Sequence, residues 1–103
     1  REALEKDLEG RKSRLVWLIL WDDQVEDNDV VAIETEGFAR TVALTRAPQR
    51  IVVPVPNGSG LTIKGVQDGR GGGITVAVEL ESGPIPLPIM RPGEQRLIQV
   101  AAP

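Results

Sequence analysis

The 103-residue sequence contains no cysteine, no histidine and no tyrosine, and its aromatics are two tryptophans and one phenylalanine. Without Cys there is no disulfide and no thiol nucleophile, and the redox compartment is left open. Without Cys and His there is no Cys/His zinc site, no haem axial histidine and no His-based triad. Long apolar runs are also missing. The longest is Leu15 to Trp21, flanked by Arg11, Lys12 and Arg14 before it and by Asp22 and Asp23 after it. A membrane span needs roughly 18 apolar residues, and no small-residue cleavage site follows the run, so neither membrane insertion nor a signal peptide is expected. The net charge of −3 argues against nucleic acid as a partner. The first residue is Arg1 and the only methionine is Met90, which reads as a segment of a longer protein.

What remains is a chain rich in Val, Ile and Leu, 41% apolar overall and long enough for one domain with a real core. Residues 1–9 are strong helix formers, with Glu2/Lys6 and Leu4/Leu8 at i, i+4 and Gly10 as a stop, so a short helical linker or docking segment is expected over 1–13. From Arg14 to the end the texture is that of strands punctuated every 8–12 residues by Gly, Pro, Asn or Asp. Eight strands are predicted: 14–21, 29–36, 38–46, 50–55, 61–67, 74–81, 84–90 and 95–101. Residues 74–81 alternate most cleanly, with Ile74, Val76, Val78 and Leu80 on one face. Pro84, Pro86 and Pro88 cannot donate to a ladder, so their strand is placed at a sheet edge, as is the end of the fourth strand at Pro54 and Pro56. Asn57-Gly58 and Asp68-Gly69 read as hairpin turns, and Arg91-Pro92-Gly93-Glu94 as a type II turn. No internal repeat stands out. The fold class is therefore all-β: an antiparallel β-sandwich over 14–103, immunoglobulin-like or jelly-roll-like, with seven or eight strands and a short N-terminal helix.

Four sets of residues invite a functional reading. Asp22 to Glu36 holds seven acids and no base. Asp22, Asp23, Asp27 and Asp29 offer hard oxygen ligands for calcium, although their spacing misses the EF-hand pattern, and a solvated loop is the plainer reading. Arg40, Arg46 and Arg50 lie near Phe38 on or beside strands, where guanidinium forks suit an anion or an acidic partner and their stems suit the rim of a core. Trp17 and Trp21 share one side of their strand with Ile19; they read as core anchors or as an interface with the N-terminal helix, and exposed they would form a sugar-stacking platform. The stretch Asp68-Gly69-Arg70-Gly71-Gly72-Gly73 lacks the Gly-Lys-Ser/Thr ending of a phosphate loop and is read as a flexible hairpin loop. Glu79 with Glu81 and Ser59 with Lys64 form no recognisable catalytic constellation. The functional expectation is a non-catalytic protein-interaction or structural module, acting on a protein partner or by self-association. The alternative is a calcium-dependent ligand-binding module, with carbohydrate as one ligand class.

Overall fold

The computed structural model describes residues 13–24, 28–56 and 58–100. Eight strands follow one another: β1 (Ser13–Trp21), β2 (Val30–Thr35), β3 (Phe38–Ala43), β4 (Gln49–Pro56), β5 (Gly60–Gln67), β6 (Ala77–Leu80), β7 (Gly83–Ile85) and β8 (Gln95–Gln99). They form two four-stranded antiparallel sheets, sheet A in the order β4-β1-β6-β7 and sheet B in the order β3-β2-β5-β8. The helix expected over residues 1–9 lies outside the described residues. Among those described, no helix is long and apolar enough to cross a membrane.

Alternation makes the core. Val16, Leu18 and Leu20 of β1 and Ile51, Val53 and Val55 of β4 meet Val31 and Ile33 of β2, Leu61 and Ile63 of β5, and Ile98 of β8 in a single apolar cluster. Side chains on successive strand residues point to opposite faces, so each sheet commits one set of alternate positions to this layer. The connections add Leu44, Ile74, Val76 and Met90, all buried. Both Pro-bearing strands, β4 and β7, lie at the edges of sheet A, where a missing N–H costs no ladder bond. In the turn 91–94, Glu94 N donates to Arg91 O at 3.0 Å and Gly93 takes φ +90°, the type II geometry read from the sequence.

Two segments depart from expectation. The β6 ladder covers only Ala77–Leu80, and Ile74 pairs instead with Met90 of the 86–94 connection in a lone bridge. The strand expected over 84–90 stops at Ile85, because Pro86 and Pro88 bring no donors. Beyond it the parity reverses: Ile89 is 60% exposed and Met90 is buried.

The strand order contains a symmetry that the sequence alone did not suggest. Adding four to every strand number converts β4-β1-β6-β7 into the order of sheet B read backwards. In each half the fourth strand returns beside the first, as in a Greek key, while the second and third form a hairpin in the opposite sheet. The correspondence extends to single residues. Val16↔Val53, Trp17↔Val52 and Ile19↔Arg50 in β1/β4 become, 45 positions later, Leu61↔Ile98, Thr62↔Leu97 and Lys64↔Gln95 in β5/β8. The hairpin pair Ile33↔Arg40 likewise becomes Val78↔Ile85. Val31-Ala32-Ile33-Glu34-Thr35-Glu36 matches Val76-Ala77-Val78-Glu79-Leu80-Glu81, and Arg46 matches Arg91. An internal repeat is therefore present. The joints between the halves differ, since Leu18 pairs with Leu80 but Ile63 pairs with Ile33, two residues short of the equivalent Thr35. A slip of two keeps every side chain on its own face, so the core pattern survives it.

Gly65 occupies the place that Leu20 holds in the first half. There Gly65 N donates to Glu94 O and Gly93 N donates to Gly65 O, so the 91–94 turn lies directly on the strand. A Cβ at Gly65 would stand 2.6 Å from Arg91 O and 3.0 Å from the Ile74 side chain. Gly65→Ala is therefore expected to lower stability by about 1–3 kcal/mol through overpacking, and Leu18→Ala by about 2–5 kcal/mol through cavity formation. Urea denaturation with an unchanged m-value would check both.

Candidate functional site

Four of the five connections between the sheets, 22–29, 44–48, 68–76 and 86–94, emerge at one end of the molecule, because β1 and β5 end there and β4, β6 and β8 begin there. Asp22 and Asp29 anchor the acidic loop into this end. Asp22 is fully buried; its Oδ1 accepts from Gln24 N at 2.9 Å and from Thr75 Oγ1 at 3.1 Å, and its own N–H donates to Thr45 O. Asp29 is also fully buried, and its Oδ1 accepts from Gly69 N at 3.0 Å. Gln67 Nε2 donates to Asn28 O, and Arg46 Nη1 donates to Gln24 O at 2.8 Å. Loops 22–29 and 68–76 are equivalent in the two halves, so these carboxylates tie one half to the other. The solvated-loop reading is corrected for Asp22 and Asp29: buried polar groups need partners, and the equivalent loop supplies them. Asp23 is exposed and Asp27 lies outside the described residues. Among the described residues no three acidic side chains gather as metal ligands.

The glycine-rich stretch runs from sheet B to sheet A, so it is no hairpin. Its positive φ values fall at Gly71 and Gly73 rather than at Gly69. Asp68 organises it, accepting from Gly73 N at 2.7 Å and Gly71 N at 2.8 Å. These amides favour the charged form and hold the Asp68 carboxyl below its ordinary value of 3.8, the Gly73 bond contributing most and partial desolvation opposing it. Two open clefts flank the loop. One of about 510 Å³ is lined by Asp23, Gln24, Thr75 and Leu87, and one of about 600 Å³ by Asp68, Arg91 and Glu94. Neither is lined by Glu79 or Glu81.

The arginines are dispersed over three elements. Arg40 is exposed on β3, an edge of sheet B; Arg46 lies in the β3–β4 connection; Arg50 is on β4 in sheet A. Arg50 meets another of the expected residues, its guanidinium lying 5.3 Å from the centroid of the Trp17 ring.

The tryptophans are not core anchors. Val16, Leu18 and Leu20 take the inward positions, and Trp17, Ile19 and Trp21 stand half-buried on the opposite side of β1. Aliphatic side chains from both sheets already fill the layer, and strand alternation leaves the indoles only the outer face. Because β1 is central in sheet A, its outward row runs down the middle of that face. Leu15, 50% exposed, extends the row, and Val52, 46% exposed, lies beside Trp17 on β4.

The repeat supplies an internal comparison for this row. The positions equivalent to Leu15, Trp17, Ile19 and Trp21 are Gly60, Thr62, Lys64 and Val66 on β5, also a central strand with its inward residues buried. The same architecture is thus built once with Trp17 and Ile19 at the centre of the outer row and once with Thr62 and Lys64 there, while Val66 stands for Trp21 and the exposed Leu97 for Val52. Sequence reading placed Trp17, Ile19 and Trp21 on one side but missed the contrast, which a self-comparison at a displacement of 45 residues exposes. Comparison of the chain with family models, curated proteins and solved structures finds no match.

Replacing Asp68 by Asn is expected to flatten the acid limb of the stability curve. A carboxyl lowered in the folded state contributes stability that is complete above its unfolded value of 3.8 and is lost as pH falls through the lower folded value. Thermal melts of both proteins between pH 5 and 2 should therefore converge on acidification, with the native Asp68 protein the more pH-sensitive; parallel curves would contradict the assignment.

Proposed function

We propose that the chain is a non-catalytic interaction module that engages its partner through the outer face of sheet A, with Trp17, Ile19 and Trp21 at the centre and Leu15, Val52 and Arg50 around them. The observation that carries this reading is the contrast between the two equivalent rows. A core-forming fold has no use for Trp17 and Ile19 on an outer face when Thr62 and Lys64 serve at the matching positions. Contiguous apolar surface of this kind marks an interaction site, and Trp and Arg are the side chains that dominate interface energies. The absence of Cys and His from the sequence removes the commonest catalytic groups and is in keeping with this role. Within β-sandwiches, eight strands in two Greek-key halves suggest the jelly-roll-like architecture over the seven-stranded immunoglobulin-like one.

The test exchanges one row for the other. Trp17→Thr with Ile19→Lys is expected to leave a cooperative melt, with stability within about 1 kcal/mol of the native chain, while the tendency to associate falls. Circular dichroism during heating reads the first and sedimentation the second. An unfolded double variant would mean that the row serves the fold, and the reading would fail.

A second reading, calcium held at the loop end, draws on one observation: Asp22 Oδ2 is buried and has no hydrogen-bond partner. Asp22, Asp23, Asp27 and Asp29 would be its ligands. Calcium at a hundredfold excess over its dissociation constant would stabilise by about 2.7 kcal/mol through mass action. On this reading the melting temperature rises with calcium and returns with EDTA, and an unmoved melt removes it.

A further inference from the structure

The partner can be named from the charges that border the apolar row, provided the interaction reading of this face holds. Ile19 lies directly opposite Arg50 on one neighbouring strand and directly opposite Glu79 on the other. Residues directly opposite one another in antiparallel strands point to the same side. The face therefore carries, across its middle, a cation on β4, an apolar residue on β1 and an anion on β6. Strands in a sheet are spaced about 4.8 Å apart, which puts the two charges about 10 Å from each other, one on each flank of the row.

This order is self-complementary under one kind of two-fold axis. Two copies of sheet A stacked face to face can be related by a dyad along β1 or by one across the strands. The dyad along β1 exchanges left and right, so Arg50 of each copy comes to lie against Glu79 of the other, twice. The dyad across the strands keeps left and right, and sets Arg50 against Arg50 and Glu79 against Glu79. Like charges facing each other penalise the second arrangement, and opposite charges steer and fix the first. The apolar row then packs on its own copy, with the tryptophans in reach of offset stacking at the usual spacing of about 10 Å between packed sheets. Sheet B lacks the pattern: the positions equivalent to Arg50 and Ile19 are Gln95 and Lys64.

We infer that the outer face of sheet A binds a second copy of this chain, in an isologous dimer whose two-fold axis runs along β1 and pairs Arg50 of one copy with Glu79 of the other.

Charge exchange on the full chain tests this by sedimentation equilibrium. The native chain is expected to dimerise with increasing concentration. Arg50→Glu and Glu79→Arg, each alone, bring like charges together and should weaken the dimer about tenfold or more. The double variant restores opposite charges and should recover most of the loss. Far-UV dichroism and melting temperature confirm that each variant is folded, since both positions lie off the core. A double variant no better than the singles, or singles without effect, would overturn the axis and the pairing. A chain that stays monomeric at every concentration would overturn the second copy as occupant. The face reading would then rest on the melt of the row-exchange variant, which must stay cooperative for the row to be free of the fold, with another protein or residues 1–12 as the candidates to cover it.

Discussion

Where β1 lies against β6 in one sheet and β2 lies against β5 in the other, the two halves of the chain become a single core. Each half contributes two strands to each sheet, so each sheet contains a joint between halves and neither sheet belongs to one of them. Apolar burial is the dominant favourable term in folding, and here it is completed when Val16, Leu18 and Ile33 of the first half join Leu61, Ile63 and Val78 of the second in one cluster. The polar stitches follow the same logic. Asp22 reaches Thr75 and Asp29 reaches Gly69 because the two loops that leave the joint are equivalent and cross at one end.

The strands were readable in the amino-acid sequence because alternation writes the core directly. All eight predicted segments contain a strand, and the edge positions of β4 and β7 followed from prolines that cannot donate. Harder to read was whatever depends on contacts between distant segments. Nothing local distinguishes Asp22, which is buried, from Asp23, which is exposed; the difference lies in Thr75 and Thr45, far along the chain. The reversal of parity between Ile89 and Met90 likewise depends on a single bridge to Ile74. Strand alternation placed Trp17 and Trp21 on one side of β1. Whether that side faced the core could be decided only once Val16, Leu18 and Leu20 were seen to fill it.

The repeat escaped a linear reading because its halves share so few identical residues outside 31–36 and 76–81. What they share is the pattern of which residues are buried and which strands pair. Gly65 in place of Leu20 shows how far the side chains have diverged at an equivalent point: one position supplies core volume, and the other gives room for the 91–94 turn to lie on the strand. Divergence at the two outer rows is of the same kind, and leaves one sheet with Trp and Ile where the other has Thr and Lys. Function in this molecule is therefore sought in what distinguishes the halves, and stability in what they have in common.

The short connection from Pro56 to Gly60 has a meaning that the strand pairings alone do not convey. Each half alone sets only two strands against two, and the four-stranded sheets form when it meets its counterpart. The connection turns that meeting into an intramolecular step, and short links of this kind set effective concentrations in about the millimolar range. Seen this way the molecule is a tethered pair, in which a few residues of chain replace the concentration that two separate halves would need in order to find each other.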